Sequence, residues 1–319
     1  MISPELIAEK WGSMNHYDGG YITVDQDLPL NWHIGYSQSG HKSILFLCTL
    51  EPVNFPSSES IEVSKGRRTD GKWTLTFELL SPEQESVFTA LCCDLIIYSS
   101  HAPTEREALL LTSKRYKQWN KLLAKQRKHL LDENERRGLL GELLFLLENL
   151  KRAHSPVRVL LGWVGPEGSD QDFIYAESWY EVKTIQKASA VVHIASLEQL
   201  ALKTSGSLVV YKIDKCPPEM PESFTLSQLA DNIAVILNDN TEALDIYNSK
   251  LLTYGFIDLP EYNIQHYCCT GKISYEVNES FPRLTRECIP APIIALQYSL
   301  DIAALTEWQM KEEQEVPHE

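Results

Sequence analysis

The sequence predicts an α/β protein, and three observations support this class. Between residues 20 and 80, short runs of β-branched and aromatic residues alternate with Gly, Pro, Ser and Asp clusters, which is typical of β-strands. Further along, Leu139, Leu143, Leu146 and Leu150 recur at helical spacing. Several strand-like runs follow that helix, and helices alternate with strands to the end. The 319 residues suggest about two domains at roughly 100–200 residues each.

We predict three segments: a β-rich domain over 1–100 that ends in a helix, a core over 101–215, and an α/β extension over 216–319. In the first segment, Ser81 followed by Pro82 and two acids is a helix start, and the helix is expected to reach about Tyr98. The predicted strands are Tyr21–Val24, Trp32–Tyr36, Ile44–Cys48 and Trp73–Leu79.

The core segment is predicted to run helix, helix, three strands, helix, strand. A long helix follows the break at Pro103 and continues to about His129, and a second helix covers about Glu133–Leu150. The strand-like runs are Val157–Val164, Asp172–Tyr175, Trp179–Ile185, a fourth candidate at Val191–Ile194, and Ser207–Ile213. A short capped helix is expected at Ser196–Lys203, between the last two.

Pro217, Pro218 and Pro221 mark the start of the C-terminal segment. Two helices are expected there, and Gly255 is the predicted stop of the second. The predicted elements are helices Ser227–Leu237 and Glu242–Tyr254, then strands Ile264–Cys269, Lys272–Val277 and Ile293–Leu300, before an acidic tail.

Composition excludes several classes of protein. Hydrophobic residues make up 43% and charged residues 23%, which is ordinary globular usage. No apolar run approaches the ~20 residues of a membrane span, and the N-terminus lacks the pattern of a secretory signal. Seven cysteines without a C-x-x-C pair form neither a disulfide framework nor a zinc ribbon. We therefore expect a cytoplasmic protein without membrane partners.

The charge is unevenly distributed. The chain carries a net −15, which argues against a general nucleic-acid coat protein. Residues 114–158, however, hold 12 Lys and Arg against five acids, a net +7 that leaves −22 elsewhere. Such a basic island can bind a phosphate backbone while the rest of the surface repels it. A solvated helix face is the alternative interpretation.

The segment from Gly165 to Lys183 has the pattern of a metal site. A hairpin between the predicted strands would bring Asp172 near Glu181, and side-chain alternation places Glu181 and Lys183 on one face. Two buried carboxylates are costly unless a cation lies between them, and hard oxygen ligands favour Mg²⁺ or Mn²⁺. Lys183 would then orient the attacking water and stabilise charge that develops on a phosphate. Asp170 precedes Asp172 by two residues and would point to the same face of a strand, so it is an alternative metal ligand. Of the two, we favour Asp172.

The preceding helix supplies a further acid. Glu142 lies inside the apolar stripe of Leu139, Leu143 and Leu146, where a carboxylate needs a partner. A metal site packed against the helix would provide one. The alternative is that Glu142 lies at the edge of the stripe and reaches solvent.

This arrangement resembles the PD-(D/E)XK nuclease superfamily: a helix acid, an Asp, then Glu-x-Lys on the adjacent strand. Further motifs are similar to one domain-of-unknown-function family of PD-(D/E)XK-motif proteins, and they span nearly the whole chain. They are Gly141-Glu142-Leu-Leu-Phe-Leu, Trp163-Val-Gly-Pro, Asp172-Phe, Glu181-Val-Lys-Thr, Ser196-Leu-Glu-Gln-Leu, Leu252-Thr-Tyr-Gly-Phe and Phe281-Pro-Arg283. Gln171 stands where the superfamily pattern has Pro.

The resemblance implies a restriction-endonuclease-like core with a mixed central sheet and Mg²⁺- or Mn²⁺-dependent cleavage of DNA. It implies Asp172 and Glu181 as metal ligands, Lys183 as the catalytic lysine, Glu142 as the helix acid, and Gln199 as a polar residue facing the site. Related genes often lie in bacterial restriction or phage-defence clusters, so other subunits of such a system are expected partners. A homodimer and an RNA-directed nuclease both stay open.

The candidate DNA contacts are basic side chains of two regions. In the basic island they lie on the helix before Glu142, and near the C-terminus they are planar guanidinium groups that suit phosphate or guanine edges. They are Lys114, Arg115, Lys121, Lys125, Arg283 and Arg286. For the last two, salt bridges within this acidic chain are the alternative. The rival function is a non-catalytic DNA-binding or assembly subunit that keeps the nuclease fold.

Overall fold

A computed structural model of the chain describes residues 2–15, 20–125, 130–202 and 204–311, with the side chains of residues 124 and 125 outside this part. The chain divides into two compact units, Met1–His129 and Leu130–Glu319. Within the described ranges, no helix is long and apolar enough to cross a membrane.

The first unit combines one antiparallel sheet with three helices in its described part. The sheet has the strand order β1-β2-β3-β5-β4, so β4 lies at an edge. Trp11 and Phe88 stack between helices α1 and α2 at a ring distance of 5.9 Å. The elements are α1 (Pro4–Gly12), β1 (Gly20–Thr23), β2 (Asn31–Tyr36), β3 (Lys42–Cys48), β4 (Ile61–Arg67), β5 (Trp73–Leu79), α2 (Glu85–Ser100) and α3 (Glu105–Lys125).

The predicted strands of this unit are confirmed, as is the helix that follows Ser81-Pro82. The sequence pattern did not predict α1 or β4. The sequence pattern does not indicate β4 because most of its side chains are polar and exposed, which is typical of an edge strand with one covered face. Its pairing with β5, from Ile61↔Leu79 to Arg67↔Trp73, decides its conformation.

The second unit contains the part of the predicted core that begins at Leu130. A four-stranded mixed sheet has the order β10-β9-β7-β6, and a separate pair joins β11 to β8. Strands β7 and β9 are parallel, while β10 and β6 pair antiparallel with their neighbours. The elements are α4 (Glu133–Arg152), α5 (Pro156–Gly162), β6 (Phe173–Ile174), β7 (Trp179–Ile185), β8 (Val191–Ile194), β9 (Gly206–Cys216), α6 (Leu226–Leu237), α7 (Thr241–Tyr254), β10 (His266–Val277) and β11 (Tyr298–Asp301).

The two faces of β7 meet different partners. Trp179 and Ile185 belong to a buried cluster with Leu208 and Tyr275. The opposite face meets α4 at Gly141, where a Cβ atom would lie only 2.5 Å from Thr184 Cγ2. Glycine at this position therefore lets the helix approach the strand closely. By alternation, Glu181 and Lys183 share the face of Trp179 and Ile185.

The prediction of a strand at Val157–Val164 is wrong, because this segment forms helix α5. A short apolar run cannot be assigned by periodicity alone. Its burial is helical: Val159, Leu160 and Trp163 are buried, whereas Leu161 is exposed. Ser155 followed by Pro156 is the sequence signal for the start of this helix.

The helix predicted at Ser196–Lys203 is reduced to a single turn, Glu198–Leu200. Side chains from other segments donate hydrogen bonds to the backbone carbonyl groups that a longer helix would use. Gln171 donates to the carbonyls of Glu198 and Gln199, at 2.6 and 3.2 Å. Arg283 donates to those of Leu200 and Leu202. Lys203 lies outside the described residues.

Two C-terminal strands also differ from prediction. The runs on either side of Thr270 form one strand, β10, with a bulge between Cys269 and Gly271. Strand β11 starts only at Tyr298, because Arg286 ties the carbonyls of Ala291 and Ile293 into a loop. Helices α6 and α7 are confirmed, and Gly255 ends α7 with φ of 107°. The predicted boundaries near residues 100 and 215 remain a prediction, although β9 and β10 belong to one sheet.

Candidate active site

The predicted acids and lysine meet beside β7 in the second unit. Strand β6 pairs with β7 at Trp179 and Tyr180, so this ladder ends just before Glu181. There Asp172 Oδ2 accepts the Val182 N–H at 2.7 Å, in place of a strand carbonyl. Asp172 is partly buried, whereas Asp170 is exposed. The structure therefore favours Asp172 over Asp170 as the carboxylate that faces the site.

Glu181 is fully buried and poorly satisfied. Its relative exposure is 0%, and within the described part of the chain neither carboxylate oxygen accepts a hydrogen bond of good geometry. Lys183 Nζ lies 2.6 Å from Glu181 Oε1 and forms an ion pair with it. Burial of a carboxylate whose lone pairs lack hydrogen-bond donors costs free energy of folding. A carboxylate in this condition is arranged to bind a further ligand.

Gln199 joins the site from the turn after β8. Its Oε1 accepts from Lys183 Nζ at 3.2 Å and from the Ala195 N–H at 2.8 Å. The ammonium of Lys183 is thus held by both the amide oxygen of Gln199 and the carboxylate of Glu181. The polar residue that the resemblance implied at this position does contact the predicted catalytic lysine.

Glu142 reaches the same place from α4. The side chain is buried, and Trp163 Nε1 donates to its Oε2 at 2.7 Å. The alternative in which Glu142 reaches solvent is therefore wrong. A Cβ atom on Gly165 would lie 3.0 Å from Glu142 Oε2 and 3.1 Å from Asp172 Oδ1, so both carboxylates flank this glycine.

Two residues that the sequence pattern did not single out lie beside the site, and the first, Lys250, holds the turn at Trp163. The ammonium of Lys250, on α7, is buried, donates to the Trp163 carbonyl, and pairs with Glu167 Oε1 at 3.1 Å. The N–H groups of Val164 and Gly165 both donate to the Asp172 carbonyl at 2.9 Å. A lysine within the buried run of α7 was the available signal, since an unpaired lysine is rarely buried.

Tyr254 is the second such residue. Its hydroxyl donates to the Glu135 carbonyl at 3.2 Å, and it lies near the carboxylates of Glu142 and Asp172, whose charges raise the pKa of the phenol further after burial. Tyr254 stands in the motif Leu252-Thr-Tyr-Gly-Phe, to which the sequence alone assigned no role.

Burial raises the pKa of all three acids, and repulsion by neighbouring acids adds to the effect for Glu142 and Glu181. Burial is the largest cause for Glu142, whose pKa lies well above its ordinary value, and the charge of Asp172 adds to it. Burial also raises the pKa of Asp172 to about 6, against the opposing effects of Lys183 and the Val182 N–H. The pKa of Glu181 is raised well above its ordinary value by burial and then by Asp172. Three carboxyl groups thus share one ammonium, that of Lys183, and burial disfavours the charged form of each acid.

These donors fit a hard divalent cation. Among the described residues, no group of three or more His, Cys, Asp or Glu side chains is arranged to hold a metal ion. Mg²⁺, however, typically takes only one or two carboxylates and keeps several waters. The buried carboxylate of Glu181 and the neighbouring carboxylate of Asp172 supply such a pair. Glu142 is engaged by Trp163 and stands behind them.

Comparison with known families agrees with this geometry. The model of a family described as "Putative PD-(D/E)XK family member, (DUF4420)" matches residues 7–303. The chain belongs to this family. Membership in DUF4420 indicates a nuclease-like fold, and PD-(D/E)XK proteins commonly use divalent metals. No curated protein and no solved structure gave a match.

The predicted DNA contacts have different surroundings. Lys114 and Lys121 are exposed on α3, and the side chain of Lys125 lies outside the described part. The structure corrects the prediction that Arg115 belongs to an exposed basic surface. Its side chain is buried and pairs with Asp94 at 2.6 Å, so the guanidinium belongs to the core of the first unit.

Among the described side chains, Arg283 and Arg286 form no salt bridge, which was the alternative left open by the sequence, and both donate to backbone carbonyls. Arg283 Nη1 donates to the carbonyls of Leu200 and Leu202, at 2.6 and 2.9 Å. Arg286 donates to the carbonyls of Ala291 and Ile293. Both side chains therefore hold loops of their own unit, and a contact with DNA would use the remaining N–H groups.

Proposed function

We propose that this DUF4420 protein is a metal-dependent DNA endonuclease that hydrolyses phosphodiester bonds. The supporting observation is the fully buried carboxylate of Glu181, which pairs with the ammonium of Lys183 and lies near the carboxylate of Asp172. Asp172 and Glu181 would hold Mg²⁺ or Mn²⁺. When bound, the cation would act as a Lewis acid on the phosphodiester.

The residues of the chain have separate roles in this proposal. Lys183, fixed between Glu181 and Gln199, presents its ammonium where negative charge develops on the phosphate. Trp163 holds Glu142 in one orientation, so that its carboxyl group lies ready to take or hold a proton beside the acids. The raised pKa of Asp172 implies that cation binding competes with a proton there.

A cleavage assay tests the proposal. Purified protein is incubated with plasmid and linear DNA in Mg²⁺, in Mn²⁺ and in EDTA, beside the variants Lys183→Ala and Lys187→Ala. Lys187 lies just after the end of β7 and is exposed, so it controls for loss of a lysine. We expect metal-dependent cutting that Lys183→Ala reduces about 10²–10³-fold and that Lys187→Ala leaves unchanged.

Other outcomes distinguish the alternatives. Binding of DNA without cutting, in every metal, would contradict catalysis and support the non-catalytic DNA-binding or assembly subunit. Cutting of RNA but not DNA would redirect the substrate. Titration with Mn²⁺ alone, followed by calorimetry, should show affinity abolished in Glu181→Gln and reduced in Glu142→Ala, whereas Asp170→Asn should bind normally.

The basic side chains Lys114, Lys121, Lys125, Arg283 and Arg286 are proposed contacts to DNA phosphates. Charge reversal at Lys121 and Lys125 should flatten the dependence of DNA affinity on salt, by about one unit of slope for each phosphate that is no longer neutralised. An unchanged slope would remove the basic island from the proposal. A cytoplasmic restriction or phage-defence system, with DNA and other subunits as partners, is the proposed setting.

A further inference from the structure

The first unit carries a second basic surface, the hairpin tip formed by residues 64–73 between β4 and β5. It contains four cations and one acid in ten residues, a net +3 in a chain of net −15. Residues 64–72 are all exposed. The cations are Lys65, Arg67, Arg68 and Lys72.

The backbone of the hairpin tip is well defined by its hydrogen bonds. Arg68 N donates to the Lys72 carbonyl at 2.8 Å, and Gly71 N donates to the Arg68 carbonyl at 3.1 Å. Gly71 has φ of 81°, a conformation that glycine adopts at no steric cost. The cations therefore project from a fixed turn, which lowers the entropy that binding must overcome.

Trp73 further restricts two of these cations. Lys65 Nζ lies 5.4 Å and Arg67 Cζ 5.6 Å from the centre of its ring. A guanidinium near an aromatic ring in this way is positioned by a cation–π contact and still offers N–H groups to phosphate oxygens.

The acids of this region neutralise only part of the charge. Lys65 pairs with Glu51 at 2.8 Å, and Arg68 pairs with Asp70 at 3.2 Å. In the range 20–125, no acid forms an ion pair with Arg67 or Lys72 among the described side chains. The charge of Lys72 contributes to the lowered pKa of Asp70 and Glu105, but within the described part of the chain neither Lys72 nor Arg67 is held in an ion pair, so both can bind an external anion.

We propose that the hairpin tip contacts the phosphate backbone of duplex DNA. This step rests on the proposed function in taking duplex DNA as the polyanion, but it assigns a binding surface outside the carboxylate site. Contacts from exposed cations to phosphates are independent of sequence and strongly dependent on salt. The hairpin tip would thus contribute affinity and leave the choice of sequence to other residues.

Binding in EDTA tests this surface separately from cleavage. The probe is a labelled 30-base-pair duplex whose fluorescence anisotropy is followed from 50 to 300 mM salt. The full chain is compared with Arg67→Glu/Lys72→Glu and with the control Arg106→Glu/Lys311→Glu, which reverses two exposed cations elsewhere. We expect the hairpin variant to bind about tenfold or more weakly at 100 mM salt, with a slope reduced by about two. The control should keep the slope.

Three results would overturn the proposal: equal slopes in both double variants, no duplex binding by the unchanged chain, or weakened binding confined to an RNA duplex of the same length. If the reversed variant misfolds by circular dichroism, Arg67→Gln/Lys72→Gln replaces it and carries the same expectation for the slope. If the hairpin variant still cleaves DNA at saturating protein concentration, the charge reversal has not affected the carboxylate site. If Lys183→Ala loses cleavage but binds DNA as the unchanged chain does, that substitution has not affected the hairpin tip.

Discussion

In the metal-free protein, the carboxylate of Asp172 should destabilise the fold at neutral pH. Burial raises its pKa from 3.8 to about 6, so the folded state binds a proton more tightly than the unfolded state does. At about 1.4 kcal/mol per pH unit, a shift of this size corresponds to about 3 kcal/mol. This stability is fully present below the unfolded pKa and is lost as the pH rises through the folded pKa.

The substitution Asp172→Asn removes that cost and keeps an oxygen for the Val182 N–H. In EDTA at pH 8, we expect the variant to be more stable than the unchanged chain by about 1–3 kcal/mol. The charge of Asp172 also raises the pKa of Glu142 and Glu181. Its removal therefore relieves these neighbouring acids as well and should not reduce the gain in stability. At pH 4 the difference should disappear.

Urea unfolding followed by circular dichroism measures this difference, with one transition fitted for each unit. Asp170→Asn is the matched control: Asp170 is exposed and two residues away, so its effect should stay within about 0.5 kcal/mol. Addition of Mg²⁺ should reverse the order by stabilising only chains that retain Asp172. A variant no more stable than the unchanged chain at pH 8 would refute the reasoning that this carboxylate is electrostatically strained.

Three further substitutions test how the site is held. Trp163→Phe leaves Glu142 without its indole donor and should cost about 1–3 kcal/mol of unfolding free energy; no loss in urea would mean that Glu142 finds water instead. Lys250→Met keeps the stem but removes the ammonium from the Trp163 carbonyl, and should lower both stability and Mn²⁺ affinity by calorimetry; an effect on neither would contradict its role in fixing this turn. Gly165→Ala places a Cβ about 3 Å from carboxylate oxygens of Glu142 and Asp172, so Mn²⁺ affinity should fall while the circular dichroism spectrum stays unchanged.

The pattern of acids and lysine was readable from the sequence because it depends on strand alternation. Glu181 and Lys183 are two residues apart on one strand, and Asp172 begins the strand beside it. These are short-range relations, so little of the tertiary fold was needed to predict them. The residue types then limited the chemistry to hard cations and phosphate.

The supports of the site were not readable in the same way. The bond from Trp163 to Glu142 spans 21 residues, and the bond from Lys250 to Trp163 spans 87. Nothing in local spacing indicates that an indole and a buried ammonium meet at one turn. The same limit explains α5, whose apolar run suits a strand or a helix until its neighbours decide.

The sequence by itself determined the mixed α/β class, the helix that follows Ser81-Pro82, and the set of polar groups beside β7. Only the tertiary structure decided that Glu142 is buried and held by Trp163, that Arg115 belongs to a core ion pair, and that β4 exists as an edge strand. The physical reason is the range of the interactions involved. Periodicity and capping act within a few residues, whereas burial, ion pairing and strand pairing join segments that the chain separates widely.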